Sequence, residues 1–119
     1  MNDNIIINFI NTFYSNIISS KFTSIHNYIN NQTIIKFHNK NLNNTNFIEF
    51  LNKKYINSVQ YNLQSYEWIL LSNNRLIIII NGKLQYSDIN GCKSKMKKFV
   101  DIIIINPMNC IISNLYTYL

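Results

Sequence analysis

Apolar residues in the first half of the chain recur every three or four positions, which is the spacing of one face of an α-helix. Between residues 4 and 20 this stripe consists of Ile6, Phe9, Ile10, Phe13 and Ile17. A shorter helix is predicted over residues 22–29 and a third over residues 46–55. In the third helix Asn46 and Glu49 are three residues apart, the spacing of a capping box. The pattern therefore predicts three helices within the first 55 residues.

The second half of the chain changes to the period of two that a half-buried strand requires. Val59, Tyr61 and Leu63 alternate with polar residues, which predicts an antiparallel strand. Three further strands are predicted over residues 76–86, 99–105 and 110–119. Gly82 lies inside the first of these and predicts a bulge or a sharp bend there.

The order of the elements predicts one α+β domain that covers residues 1–119. A short β-branched and aromatic strand over residues 33–37 separates the second helix from the third, and the polar residues 39–44 are predicted to be a loop. After the third helix the remaining strands form an antiparallel meander of four.

Two of the strands, at residues 76–80 and 102–105, are apolar on both faces, although an antiparallel sheet usually turns one polar face to water. Three helices cover only one face, so the other face is predicted to bind a protein partner. Residues two apart share a face. This alternation assigns the partner face to Ile77, Ile79, Phe99, Asp101, Ile103, Leu115 and Thr117. The set predicted to face the helices is Ile78, Ile80, Val100, Ile102, Ile104, Ile112 and Tyr116.

Charged residues make up only 13% of the chain, and the formal net charge is +6 at pH 7. This balance favours an acidic protein partner or nucleic acid. The candidate nucleic-acid contacts are Lys93, Lys95, Lys97 and Lys98. They fit sequence-tolerant phosphate contacts or, alternatively, a solvated loop. The apolar runs are far shorter than the roughly 20 residues that cross a bilayer, so no membrane association is expected.

Three segments, taken in order, resemble the nuclear transport factor 2-like family. Residues 9–14, Phe-Ile-Asn-Thr-Phe-Tyr, look like the paired aromatics of its first helix. Residues 82–84, Gly-Lys-Leu, and 113–116, Ser-Asn-Leu-Tyr, are similar to its long third strand and to its ending. The resemblance covers nearly the whole chain and implies a curved antiparallel sheet with three helices on its concave face. It also implies that the convex face pairs with another copy of the fold.

Two branches of that family differ at the mouth of the concave cavity. The homodimeric import factor that carries the GDP form of the GTPase Ran has acidic residues there. At the matching positions this chain has Lys-Phe-His at residues 36–38 and Tyr-Ser-Asp at residues 86–88. The chain is therefore more similar to the small subunit of the heterodimeric mRNA export receptor, which implies a role at the nuclear pore, in nucleus and cytoplasm. A Ran-carrying homodimer and a basic accessory protein of an RNA–protein particle are the alternatives.

Some proteins of this superfamily are enzymes, such as ketosteroid isomerase. Their chemistry needs a titratable group with a tuned pKa inside the cavity. The candidates here are His26, His38, Asp101, Tyr116 and Tyr118. The two histidines are expected at the surface, and Asp101 is assigned to an ion pair on the partner face. The sequence contains no Ser/His/Asp set and no glycine-rich phosphate loop. The chain is therefore predicted to be non-enzymatic, with no cofactor, no metal and no small-molecule substrate.

Overall fold

The computed structural model describes residues 3–55, 58–88 and 90–119. Helix α1 spans Asp3–Ile18, a 3-10 helix spans Phe22–Asn27, and helix α2 spans Asn44–Lys54. The six strands are β1 (Ile34–Phe37), β2 (Lys40–Leu42), β3 (Ser58–Leu70), β4 (Leu76–Ser87), β5 (Lys97–Ile105) and β6 (Ile112–Tyr118). The predicted α+β class and the three helices are confirmed, the second helix being 3-10 in type.

All six strands form one curved sheet in the order β2-β1-β6-β5-β4-β3. The meander from β3 to β6 is antiparallel as predicted. The sheet is mixed, however, because β1 pairs with β6 in parallel. Strand β2 occupies positions that were predicted to be a loop, and it pairs with β1 after a turn in which His38 has a φ of 56°. Local alternation identifies a strand but does not say which other strand will pair with it.

The helices pack against one face of the sheet through the residues that their periodicity selects. The whole predicted stripe of α1 is buried, and Tyr14 joins it. Helix α2 is capped by Asn43, whose Oδ1 accepts hydrogen bonds from the backbone N–H groups of Thr45 and Asn46. The Asn46 side chain accepts the N–H of Asn43 at 2.7 Å and closes the capping box. The box therefore lies three residues before the predicted Asn46–Glu49 pair.

We call the face under the helices the covered face and the opposite one the uncovered face. In β4 the prediction is right: Ile78 and Ile80 are buried on the covered face, whereas Ile77 and Ile79 lie on the uncovered face. In β5 and β6 it is wrong except at Ile112, which is buried as predicted. The predicted partner residues that lie on the covered face are Phe99, Asp101, Ile103, Leu115 and Thr117. The predicted core residues that lie on the uncovered face are Val100, Ile102, Ile104 and Tyr116.

Two tertiary features explain why the faces predicted for β5 and β6 are exchanged. Asp101 is only 4% exposed, and the Tyr14 hydroxyl donates a hydrogen bond to its buried carboxyl group, so the charge of Asp101 does not indicate an outward position. In β6, Ile112 pairs with Ile105 while Asn114 pairs with Ile104. Ser113 is thus an extra residue, and such a bulge shifts the alternation by one position.

Gly82 is required by the packing of its neighbours. It pairs with Phe99 in β5 and Leu63 in β3. A Cβ at this position would lie 2.4 Å from the Asn62 carbonyl oxygen and 2.8 Å from Cε1 of Phe99. The predicted bulge is present, but it lies in the neighbouring strand β3, between Leu63 and Ser65.

Candidate functional site

The uncovered face carries two rows of side chains that cross five strands. The first row runs through Ile34, Asn114, Ile104, Ile77 and Ile69. Each of these residues pairs with the next one on the neighbouring strand of the sheet. Ile34 and Ile69, near the two ends of this row, are both 56% exposed. Four of the five residues are isoleucines, so the row forms an apolar band across the sheet.

The second row runs beside the first through Lys36, Tyr116, Ile102, Ile79 and Glu67. Its three central side chains are half-buried, and its two ends carry opposite charges. Together the two rows make an apolar centre with a polar margin, which is the composition of many protein-binding surfaces. The set of partner-face residues predicted from the sequence contained Ile77 and Ile79 but not Ile34 and Ile69. The strands of Ile34 and Ile69 have no obvious run that is apolar on both faces.

Beneath the covered face, Asp101 belongs to a buried cluster with Tyr14, Tyr55 and Tyr61. The Tyr14 hydroxyl donates to Asp101 Oδ2, and the rings of Tyr14 and Tyr61 are 5.1 Å apart. Burial raises the pKa of Asp101 to about 6, against the opposing effect of the Tyr14 hydroxyl. Burial also raises the pKa of Tyr55 to about 12 and raises the pKa values of Tyr14 and Tyr61 well above 10.

The sign of the Asp101 shift fixes its effect on stability. The folded pKa of about 6 exceeds the ordinary value of 3.8, so the native state holds this proton more tightly than the unfolded chain does. The contribution of Asp101 to the free energy of unfolding therefore falls as the pH rises from 3.8 through 6, and its full cost is present above pH 6.

The interior next to Asp101 is almost filled. A cavity of about 20 Å³ is lined by Asp101, Thr117, Tyr61, Phe13 and Leu115 among others. Such a volume holds about one water molecule. A larger cleft of about 290 Å³ lies between α1 and the bulge of β3, beside Ile7, Leu63 and Tyr66. It is also lined by Ile80, the strand partner of Asp101, but not by Asp101 itself.

The four lysines predicted to contact nucleic acid do not form one surface. Lys97 pairs with Leu84 and lies on the covered side, where its ammonium is 3.3 Å from the Tyr86 hydroxyl. Lys98 pairs with Lys83 and lies on the uncovered side. Lys93 and Lys95 are exposed in the β4–β5 connection. Adjacent residues of a strand point to opposite faces, so Lys97 and Lys98, which are neighbours in the sequence, lie on different sides of the sheet.

The other candidate catalytic residues are not brought together. His26 and His38 are both exposed, and Tyr118 is 44% exposed on the uncovered face. Within residues 3–55, 58–88 and 90–119, no three His, Cys, Asp or Glu side chains are arranged to hold a metal ion. None of the helices in the described part of the chain is long and apolar enough to cross a membrane.

Comparison with known proteins identifies the fold. No protein-family model and no curated protein matches the chain. Solved structures do match. Nuclear transport factor 2 from Cryptosporidium parvum is similar with a TM-score of 0.80 and 16% identity, over 97% of this chain and 91% of that one. Mtr2 from Candida albicans is similar with a TM-score of 0.63 and 10% identity, over 84% and 75%.

A protein provisionally assigned as a ketosteroid isomerase, from Shewanella frigidimarina, is also similar. Its TM-score is 0.74 at 8% identity, over 93% of this chain and 92% of that one. The chain has the nuclear transport factor 2-like fold, as its segments indicated. That fold occurs in transport proteins and in proteins assigned as enzymes, so function depends on the surfaces of this chain.

Proposed function

We propose that this chain is a non-enzymatic subunit of a nuclear transport complex, and that it binds a protein of similar fold through its uncovered face. The observation that carries the proposal is the apolar band across five strands. The second row lies beside this band, and Lys36 and Glu67 at its two ends provide a polar margin.

The apolar side chains of the two rows offset much of the cost of association. Fully burying an isoleucine is worth roughly 1.5–3 kcal/mol, and a side chain already half-buried contributes about half of that. The six isoleucines of the two rows together supply roughly 5–9 kcal/mol. This is comparable with the cost of association, about 4–15 kcal/mol, so contacts at the margin decide the final affinity.

A nuclear transport role is supported by the likeness to nuclear transport factor 2 and to Mtr2. Within that role we favour the small partner of a larger mRNA export receptor, acting at the nuclear pore and present in nucleus and cytoplasm. The absence of catalysis is part of the proposal. It is supported by the two cavities. The one beside Asp101, of about 20 Å³, has room for a water but not for an organic substrate, and the cleft of about 290 Å³ is not lined by Asp101, His26 or His38.

A homodimer that carries Ran-GDP is the second candidate. It is favoured by the TM-score of 0.80 to nuclear transport factor 2. The charge at the open end of the covered side argues against it. Lys54 and Lys97 lie there beside Tyr86, where the Ran-carrying branch of the family has acidic residues.

The test is co-expression with the corresponding domain of an export receptor, followed by light scattering on the purified protein. A heterodimer that the purified chain forms in preference to self-association supports the export role. A homodimer of twice 14.1 kDa that also binds Ran-GDP in calorimetry supports the second candidate. A chain that remains monomeric with both partners contradicts the proposed function.

A further inference from the structure

Three lysines and three aromatic rings meet at the open end of the covered side. The members of this lysine–aromatic cluster are Lys40, Phe50, Phe37, Lys54, Tyr86 and Lys97. They come from five different elements, namely the first two strands, α2, the end of β4 and the start of β5. Their convergence depends on the curvature of the sheet and on α2 crossing above it.

The contacts are continuous from one end of the cluster to the other. The Lys40 ammonium is 5.3 Å from the centre of the Phe50 ring, and that ring is 4.8 Å from Phe37. The Lys54 ammonium is 5.2 Å from the Phe37 ring and 4.7 Å from the Tyr86 ring. Lys54 therefore joins the two halves of the cluster.

Two positive charges converge on the Tyr86 hydroxyl. The Lys97 ammonium is 3.3 Å from it, and this hydrogen bond, with the nearby charges of Lys54 and Lys97, lowers the pKa of Tyr86. Neither lysine forms an ion pair with a carboxylate among the described residues. The two ammonium groups repel one another, and an anion bound between them would offset that repulsion by attracting both.

We propose that the lysine–aromatic cluster binds an acidic segment of a protein partner. A carboxylate of that segment lies between the ammonium groups of Lys54 and Lys97. It also accepts a hydrogen bond from the Tyr86 hydroxyl. An apolar residue beside the carboxylate packs on Phe50. There a groove of about 140 Å³, lined also by Lys53 and Glu49, receives it.

A peptide fits these observations better than a nucleic acid does. Bases bind single-stranded sites by stacking on free aromatic faces. Here each of the three rings already has a lysine ammonium within 4.7–5.3 Å. A backbone of many phosphates also needs a continuous basic track. Lys83 and Lys98, which would extend such a track, lie on the opposite face of the sheet.

The probe is the pentapeptide acetyl-Gly-Glu-Phe-Glu-Gly-amide, titrated into the full chain and followed by backbone amide NMR shifts. We expect saturable shifts at Lys54, Tyr86 and Lys97 that weaken as salt is added. Lys54→Met and Lys97→Met each keep most of the aliphatic stem, and each should weaken binding by about tenfold or more. The matched control Lys83→Met, on the uncovered face, should leave the affinity within about twofold.

Thermal unfolding of each variant checks that it is folded. If Lys54→Met does not fold, Tyr86→Phe, which removes the hydroxyl from the site, tests the same binding site. A peptide with Gln in place of Glu should bind about tenfold more weakly. The proposal is overturned by absence of saturable shifts, or by equal losses in Lys54→Met and Lys83→Met. It is also overturned if a twelve-nucleotide uridine RNA binds the cluster more tightly than the peptide. Because the site is separate from the uncovered face, its failure leaves the proposed function standing.

Discussion

Ile102 and Ile103 are adjacent in β5 and face opposite sides of the sheet, so the same substitution at each separates association from folding. Ile103 is fully buried between its neighbours Ile78 and Leu115. Ile102 is half-buried on the uncovered face, opposite Ile79 and Tyr116. We consider a lysine at each position.

The expected magnitudes differ widely. An unpaired ammonium at position 103 has no partner in the apolar core and costs several kcal/mol, a large part of the roughly 6–18 kcal/mol expected for a domain of this size. Ile103→Lys should therefore lower the melting temperature of the domain by roughly 10 °C or more, and unfold it at ambient temperature if its stability lies near the lower end of that range. At position 102 the long side chain reaches water, so the free energy of unfolding of the monomer should change by less than about 1 kcal/mol.

Association should show the opposite order. If the uncovered face meets a partner, Ile102→Lys places an unpaired charge in the middle of the contact, and several kcal/mol there weakens binding about a thousandfold. The assay combines circular dichroism melts with sedimentation velocity of the complex. A folded Ile103→Lys alongside an unfolded Ile102→Lys would refute the face assignment. A folded Ile102→Lys that associates as tightly as the parent chain would refute the interface.

Three further substitutions test the interior and the helix cap. Asp101→Asn should raise the free energy of unfolding by up to about 3 kcal/mol at pH 7.5 and by little at pH 4, since the cost of ionisation is removed; equal changes in melts at the two pH values would contradict the raised pKa. Gly82→Ala should destabilise the domain by about 1–3 kcal/mol in urea unfolding, because the new methyl group meets Phe99 and backbone; a neutral result would show that β3 moves aside. Asn43→Ala should cost about 0.5–2 kcal/mol by the same measurement, whereas Asn52→Ala, exposed within α2, should cost less than about 0.5.

Local patterns predicted the described helices and strands of this protein other than β2. The buried stripe of α1 was predicted apart from Tyr14, because residues three and four apart share one face of a helix of period 3.6. That Ile77 and Ile79 share one face of β4 also followed from alternation alone, since that strand contains no bulge of its own. The family resemblance added the fold, which the structural neighbours show.

The lysine–aromatic cluster could not be predicted in the same way. Phe37 and Tyr86 are far apart in the sequence, and β1 and β4 are separated in the sheet by β6 and β5. Only the curvature of the sheet and the position of α2 bring them to one lysine, Lys54. The sequence instead grouped Lys97 with Lys98, which the strand then sends to opposite faces.

The sequence by itself determined where the three helices and most of the strands form, because hydrophobic period acts over a few neighbouring residues. It did not predict β2 or the position of the α2 cap. Only the tertiary structure decided which face of β5 and β6 is buried. A single extra residue, Ser113, shifts the alternation of β6 by one position. The buried carboxyl group of Asp101 accepts a hydrogen bond from the hydroxyl of Tyr14, 87 residues away in the chain. Both effects arise from long-range contacts, and a local pattern contains no information about the partner that makes them possible.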